Sequence, residues 1–481
     1  MLAEQLSPLD SVFLAAESPN TPMHTGGVVI FEAPLSFRDV FDTIEARLHL
    51  VPRFTQRIAE VPLGLGHPFW VDDPSFDLSF HLRHAALPSP GSDEQLCNFA
   101  SRLIARELDR SKPLWELYVV DGLEGPRSAM VIKTHHAMVD GISSMDIATA
   151  LFDFTPEHQN PDPPPPTRRP SSLPSQLELM SKALLSQTRN VRDLGTAIQM
   201  AAAGPRRLLE AAGLMASAAT SLLRPASPSI LNVGPGLHRR YAIVRSTLQT
   251  FKDIKNVAGA TVNDVILTVC ADALGKLFRS RDEPTEGRSL KVMVPVSVRS
   301  EADRMALGND ITAMFCDLPI GKMAPFDRLK VIHDQLADIK DAKQAVAADM
   351  LVNLTRWSPP TLHSLAARLG VRARLMNTVI SNVPGPQVPL YSCGVKMLEP
   401  YAVIPLAHGQ SLSIGITSYN GGIFFGLNAD RDANPDLDQL ARYIHESIGE
   451  LEKAASEVSS QGVTPAETEF AVASGGAVAE R

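Results

Sequence analysis

The chain has 481 residues, which exceeds what a single packed core organises and predicts two domains. Lys and Arg number 45 against 53 Asp and Glu, a formal net charge of -8, so a chain built to neutralise nucleic-acid phosphates is disfavoured. Cys97, Cys270, Cys316 and Cys393 stand far apart with no CxxC pair, which excludes a thiolate metal cage. The opening MLAEQLSPLD lacks the apolar core of a secretory signal, so a reducing, cytoplasmic setting is expected. No run of about 18 apolar residues occurs, so no spanning segment is expected, while contact with a membrane surface stays open.

In chain order, residues 1–155 form a first unit. Within it a short strand at Ala129–Lys133 delivers His135 and His136, a turn follows at Asp140-Gly141, and a helix is predicted from Ile142 to Phe152. Residues 156–170 carry seven prolines in fifteen positions, an extended connector that opens a linker and helical crossover over 156–230. Leu177, Met180, Leu184, Leu185 and Val191 mark one helical face there, and a second helix runs from Arg206 to Leu223. Packing against the body of the protein and docking on a membrane both suit these low-charge helices.

A second α/β unit spans 231–454. Strands are predicted at Tyr241–Leu248, Leu290–Arg299, Asn377–Val383, Ser411–Tyr419 and Gly421–Asp430, the last two forming a hairpin about Asn420. Helices are predicted at Thr261–Phe278, capped by Thr261 or Asn263, and at Leu437–Ala454. The tail 455–481, rich in Ala, Ser, Gly and Glu, is read as disordered.

The chemistry concentrates in Ser128–Ser143. An imidazole at a strand end is held rigidly yet left accessible, and its ordinary pKa of about 6.5 suits a proton acceptor near neutrality. Three readings compete: a metal site, a structural turn, and a general base. Neighbouring strand residues point to opposite faces, so His135 and His136 are poorly placed to share an ion. The chain contains no GxSxG serine elbow and no HExxH zinc motif.

His135-His136-Ala137-Met138-Val139-Asp140-Gly141 resembles the HHxxxDG signature of CoA-dependent acyltransferases. Further stretches resemble the bacterial wax ester synthase/diacylglycerol acyltransferase family in that family's order. They are Leu6-Ser7-Pro8-Leu9-Asp10, Phe13-Leu14, Pro22-Met23-His24, Pro113-Leu114-Trp115-Glu116 and Thr261-Val262-Asn263-Asp264-Val265, followed by Pro295–Arg299, Gly308-Asn309, Ser381–Pro386 and Ser418–Gly421. The resemblance covers the chain from residue 6 to residue 430 apart from the proline linker.

The resemblance implies an α/β fold of two chloramphenicol-acetyltransferase-like subdomains, with mixed sheets flanked by helices and a central tunnel. It implies acyl-CoA as donor substrate, no permanently bound cofactor, and diacylglycerol or a long-chain alcohol as acceptor. His136 would be the general base and His135 its support, Asp140 a loop brace and Gly141 the turn. Arg299 is a candidate partner of Asp140. Asn263 and Asp264 divide between helix capping and a place near the tunnel. Trp115 and Pro113 are expected to pack behind the histidine strand, Ser381–Pro386 to form a tight turn that shapes the subdomain interface or else to line the tunnel, and His24 to be structural. Arg239-Arg240 is open between a CoA-phosphate site and a solvated pair. A condensation-domain-like transferase using another acceptor or a carrier-bound donor, and a non-catalytic lipid-binding protein, are the alternatives. Peripheral contact with membrane or lipid droplets is expected because the acceptors are insoluble.

Overall fold

The structure is a computed structural model, and it describes residues 4–64, 66–139, 151–157, 174–183, 185, 224–297, 311–341 and 374–460. The chain begins with strand β1 (Glu4–Gln5), helix α1 (Pro8–Ala16), β2 (His24–Phe31), α2 (Phe37–Arg47), β3 (Gln56–Ala59) and β4 (Phe69–Asp72). A helical turn α3 (Leu78–His81) leads to β5 (Leu82–Ala86), α4 (Asp93–Ile104), β6 (Trp115–Asp121), β7 (Ser128–His135) and the short helix α5 (His136–Val139). The second half holds β8 (Arg239–Thr247), α6 (Leu248–Ala258), α7 (Val262–Ser280), β9 (Ser289–Ser297), β10 (Ile311–Pro319) and α8 (Pro325–Asp341). It continues with β11 (Thr378–Pro384), β12 (Tyr391–Ser392), β13 (Val395–Val403), β14 (Leu412–Tyr419), β15 (Gly422–Asp430) and α9 (Leu437–Ser460).

Among the described residues two six-stranded sheets organise the fold, in the orders β12-β13-β2-β7-β6-β5 and β10-β9-β11-β14-β15-β8. Both are mixed: β5–β6, β11–β9 and β11–β14 run parallel and the other pairs antiparallel. Each sheet has its own apolar core. Val28, Ile30, Phe31, Leu117, Val119 and Met130 belong to the first, and Val265, Leu274, Phe278, Ile414 and Phe425 to the second. The capping residues do what their chemistry allows. Ser92 and Gln95 form a reciprocal box at the start of α4, and Thr261 and Asp264 form another at the start of α7. Asn420 and Gly421 both take positive φ, 44° and 81°, which closes the β14–β15 hairpin in the tight form the sequence predicts.

Strand β13 crosses over. It lies within the span 231–454, yet it pairs with β2 and so adds to the sheet of the first half. Two glycines make room for it on the second sheet. Gly415 and Gly426 are cross-strand partners, and a Cβ on Gly426 would stand 2.2 Å from the Ala402 carbonyl oxygen. Tyr241 Oη donates to that oxygen at 3.0 Å, and Arg245 of β8 pairs with Asp93 of α4 at 2.6 Å and with Glu399 of β13 at 3.3 Å. The two halves are therefore held by a shared strand and by polar ties across their junction.

Of the crossover helices, residues 176–183 fall among those described. They pack on the small sheet β1-β4-β3 through Leu179, Met180 and Ala183, which meet Val61, Phe69 and Val71. This corrects the predicted face: Leu177 and Leu185 are 76% and 65% exposed. The error has a simple cause, since in a run of many apolar residues spacing alone does not say which stripe finds a partner. Val191 and the helix expected over 206–223 lie outside the described residues. Among the described residues no single helix is long and apolar enough to cross a membrane.

Candidate active site

Strand β7 is longer than the predicted Ala129–Lys133 and is buried along nearly its whole length, so it carries the chain through His135. His136 begins helix α5. The change of direction has a local cause: the Ala137 N–H donates to His135 Nδ1 at 3.0 Å, so this imidazole caps the helical turn that follows. Because Nδ1 accepts, the neutral ring carries its proton on Nε2. That nitrogen lies 3.4 Å from Glu17 Oε1.

His136 has different surroundings. Its backbone N–H donates to the Met23 carbonyl at 2.8 Å, and its half-buried ring stacks on Phe13 of α1 with centroids 3.8 Å apart and planes 20° from parallel. The two adjacent histidines thus face different neighbours. Among the described residues no group of three His, Cys, Asp or Glu side chains is arranged to hold a metal ion.

Behind this turn lies a buried polar cluster that the motif reading did not anticipate. His24 stands opposite His135 in the β2–β7 register, and its Nε2 is also 3.4 Å from Glu17 Oε1. The same Glu17 oxygen accepts from the Met23 N–H at 3.2 Å. The other, Oε2, accepts from Arg110 Nε at 3.1 Å and Nη2 at 2.7 Å, and Arg110 also reaches the Leu14 carbonyl at 2.8 Å. Burial by itself would raise the Glu17 carboxyl. The facing His135 and His24 imidazoles and the Arg110 guanidinium outweigh it and hold the group far below the ordinary carboxylate range. Burial pushes His24 down to about 4 against the pull of Glu17, and pushes the neighbouring Lys133 down to about 8. Lys133 is satisfied by the Arg106 carbonyl. Glu17 and Arg110 carry no motif of their own. The available signal was position, because Glu17 falls between Phe13-Leu14 and Pro22-Met23-His24.

The other predicted site residues divide. Asp140, Gly141 and Arg299 lie outside the described residues, as do the helix expected from Ile142 and the pair Gly308-Asn309, apart from Leu151 and Phe152. Asp264 is buried and engaged in capping: it accepts the Thr261 N–H at 2.8 Å and pairs with His333 Nδ1 of α8 at 2.7 Å. Asn263 accepts from Asn382 Nδ2 of β11 at 3.5 Å, so two separate sequence motifs meet on the second half. Ser381–Pro384 is strand, which agrees with the strand predicted over Asn377–Val383 and corrects the tight turn expected over Ser381–Pro386. The β-branched run before it carries the pairing with β14 as far as Pro384, and the Gly385 N–H extends it to the Ser418 carbonyl. Trp115 packs beside the histidine strand with its indole N–H on the Phe54 carbonyl at 2.8 Å.

Arg239-Arg240 is not a solvated pair, because only Arg240 is partly exposed. Arg239 is buried, donates to the carbonyls of Gly236, His238 and Asn20, and lies 3.9 Å from Asp430, while Arg240 pairs with Asp438. Successive strand residues face opposite ways, so the two guanidinium groups serve different neighbours.

Two mixed α/β sheets joined by a crossing strand, with a histidine where a central strand turns into helix, define the two-subdomain acyltransferase fold. A condensation domain of the calcium-dependent antibiotic synthetase shares that fold, with a TM-score of 0.58 at 14% identity over 94% of this chain and 96% of that one. The model of the wax ester synthase/diacylglycerol acyltransferase catalytic domain matches residues 6–266, and that of the family's C-terminal domain matches 307–452. The chain belongs to this family and is an acyl-CoA-dependent acyltransferase. It is 33% identical over 462 residues to a probable diacylglycerol O-acyltransferase of Mycobacterium tuberculosis, covering 93% of this chain and 99% of that protein. A second such protein of that organism is 32% identical, covering 93% and 95%. The wax ester synthase/diacylglycerol acyltransferase of Marinobacter aquaeolei has a solved structure that matches with a TM-score of 0.69 at 28% identity, over 94% of this chain and all of that one.

Proposed function

We propose that this acyltransferase moves a fatty acyl group from CoA to the hydroxyl of diacylglycerol, making triacylglycerol, and to long-chain alcohols, making wax esters. The observation that supports the reading most is the placing of His136. Its backbone is held by Met23, its ring is fixed against Phe13, and it opens a capped turn at the end of a buried strand. The imidazole takes the acceptor proton as the alcohol oxygen attacks the thioester carbonyl. The C–S bond breaks as the tetrahedral oxyanion collapses, and the imidazolium returns the proton to the CoA thiolate. No covalent enzyme intermediate is required.

In this proposal His135 supports the base, Asp140 braces the loop with Arg299 as its partner, and Gly141 permits the turn. Asn263 and Asp264 support the reaction from the second half. A tunnel between the subdomains admits acyl-CoA from one side and acceptor from the other, and no resident cofactor takes part. The acceptors reside in a lipid phase, so the protein works as a cytoplasmic enzyme peripherally attached to membranes or lipid droplets. The low-charge crossover between Leu173 and Leu223 is the proposed contact.

The experiment is acyl transfer from one acyl-CoA to diacylglycerol, hexadecanol, a short alcohol and water. Release of free CoA in proportion to diacylglycerol or hexadecanol is expected. His136→Ala should lower that rate roughly 10²–10⁴-fold, the usual share of a general base, and His135→Ala should cost less. Near-normal turnover by the His136 variant, with loss in the His135 variant, would reverse the assignment.

A further inference from the structure

We infer that Glu17, itself fixed by Arg110, is a positioning residue for the base: it sets the tautomer of His135 and, through Met23, the backbone of His136. The inference rests on the reading of His136 as base. Two routes lead from the carboxylate to the histidine turn. In the first, Glu17 Oε1 faces His135 Nε2 at 3.4 Å and favours the proton there. This leaves Nδ1 free of hydrogen, and the lone pair accepts the Ala137 N–H at 3.0 Å. In the second, the same oxygen accepts the Met23 N–H at 3.2 Å while the Met23 carbonyl accepts the His136 N–H at 2.8 Å. One buried carboxylate therefore acts on two consecutive backbone amides, those of residues 136 and 137.

The side chain is 4% exposed and has three cationic or imidazole neighbours, so its orientation is over-determined. Arg110 grips Oε2 with Nε and Nη2 and holds the end of α1 through the Leu14 carbonyl. Phe13, whose ring covers His136, is on that helix. Arg110 thus ties the carboxylate and the aromatic cover to one frame. If Glu17 were an amide, its NH₂ could donate to His135 Nε2. The ring proton would then move to Nδ1, where it would confront the Ala137 N–H, and the turn would have to shift. A displacement of about 1 Å in a reacting group can cost about 10²-fold in rate.

The test uses the full chain with Glu17→Gln and Arg110→Met. Activity is normalised to folded protein by circular dichroism and melting temperature, with KM measured for acyl-CoA. Long-range ¹⁵N–¹H spectra of ¹⁵N-histidine-labelled protein read the tautomer, with the His135 signals assigned by their loss in His135→Asn. Glu17→Gln is expected to lower kcat roughly 10²-fold with KM for acyl-CoA nearly unchanged, and to give His135 Nδ1–H character. Arg110→Met, at a side chain 44% exposed, should fold normally and lower kcat by less. A wild-type His135 protonated on Nδ1 would overturn the inference, as would normal kcat per folded molecule in Glu17→Gln. Should His136→Ala retain turnover, the base assignment itself fails, while the His135 tautomer still reports on Glu17.

Discussion

Lowering the pH from 7 to 4.5 should destabilise the protein by about 2 kcal/mol through His24 alone. In the fold this imidazole is buried and titrates near 4, whereas its ordinary value is 6.5. Between these values the unfolded chain takes up a proton that the folded one refuses. Stability is therefore full above pH 6.5, falls as pH drops toward 4, and levels off below. The whole difference of about 2.5 pKa steps corresponds to about 3 kcal/mol, of which about 2 kcal/mol falls between pH 7 and 4.5. Urea unfolding at pH 7, 6, 5 and 4.5 measures it, with His24→Asn as the comparison. Burial lowers His81 too, and both proteins keep that group, so the difference between the two curves isolates His24. Glu17 stays ionised in the fold throughout this range. The wild type should lose more stability than the variant by about 2 kcal/mol. Parallel curves for the two proteins would show that the His24 imidazole is not held neutral by its surroundings.

Gly426→Ala places a methyl 2.2 Å from the Ala402 carbonyl oxygen and 2.3 Å from Tyr241 Oη, where β13 crosses the second sheet. It should cost about 1–3 kcal/mol in urea unfolding, and Gly415→Ala, whose nearest contacts are 3.0 Å, should cost less. Equal stability of Gly426→Ala and wild type would show that the crossing tolerates the added volume. Leu177→Ser with Leu185→Ser should reduce flotation with diacylglycerol-containing liposomes while leaving activity on detergent-dispersed acceptor intact, because both side chains are exposed. Unchanged flotation would place the lipid contact elsewhere.

Much of the fold was legible because its signals are local. The β14–β15 hairpin follows from Asn420-Gly421 between alternating strands, and α7 begins at Thr261 because a hydroxyl there can receive the Asp264 N–H. The strand-end histidines stood out because a polar pair closes an apolar run. What misled was equally local. Ser381–Pro386 has the composition of a turn, yet the strand predicted to Val383 continues through Pro384 because β14 lies alongside. Arg239-Arg240 reads as a cationic pair until Asp430, Asp438 and the Asn20 carbonyl are brought against it.

The sequence by itself determined the class of fold, the family and the residue proposed as base, since each is written in short-range patterns of apolar spacing, turn chemistry and motif. Only the tertiary structure decided what surrounds that base. Glu17, His24, Arg110 and His135 come from a helix end, a strand start, a loop and a strand end, and Glu17 and Arg110 are 93 positions apart. Their meeting requires β2 to lie beside β7 in a register that sets His24 opposite His135, and α1 to pack over the turn. The crossing of β13 into the first sheet is decided in the same way. Register and packing are settled by burying many side chains at once, and no short stretch of sequence carries that information.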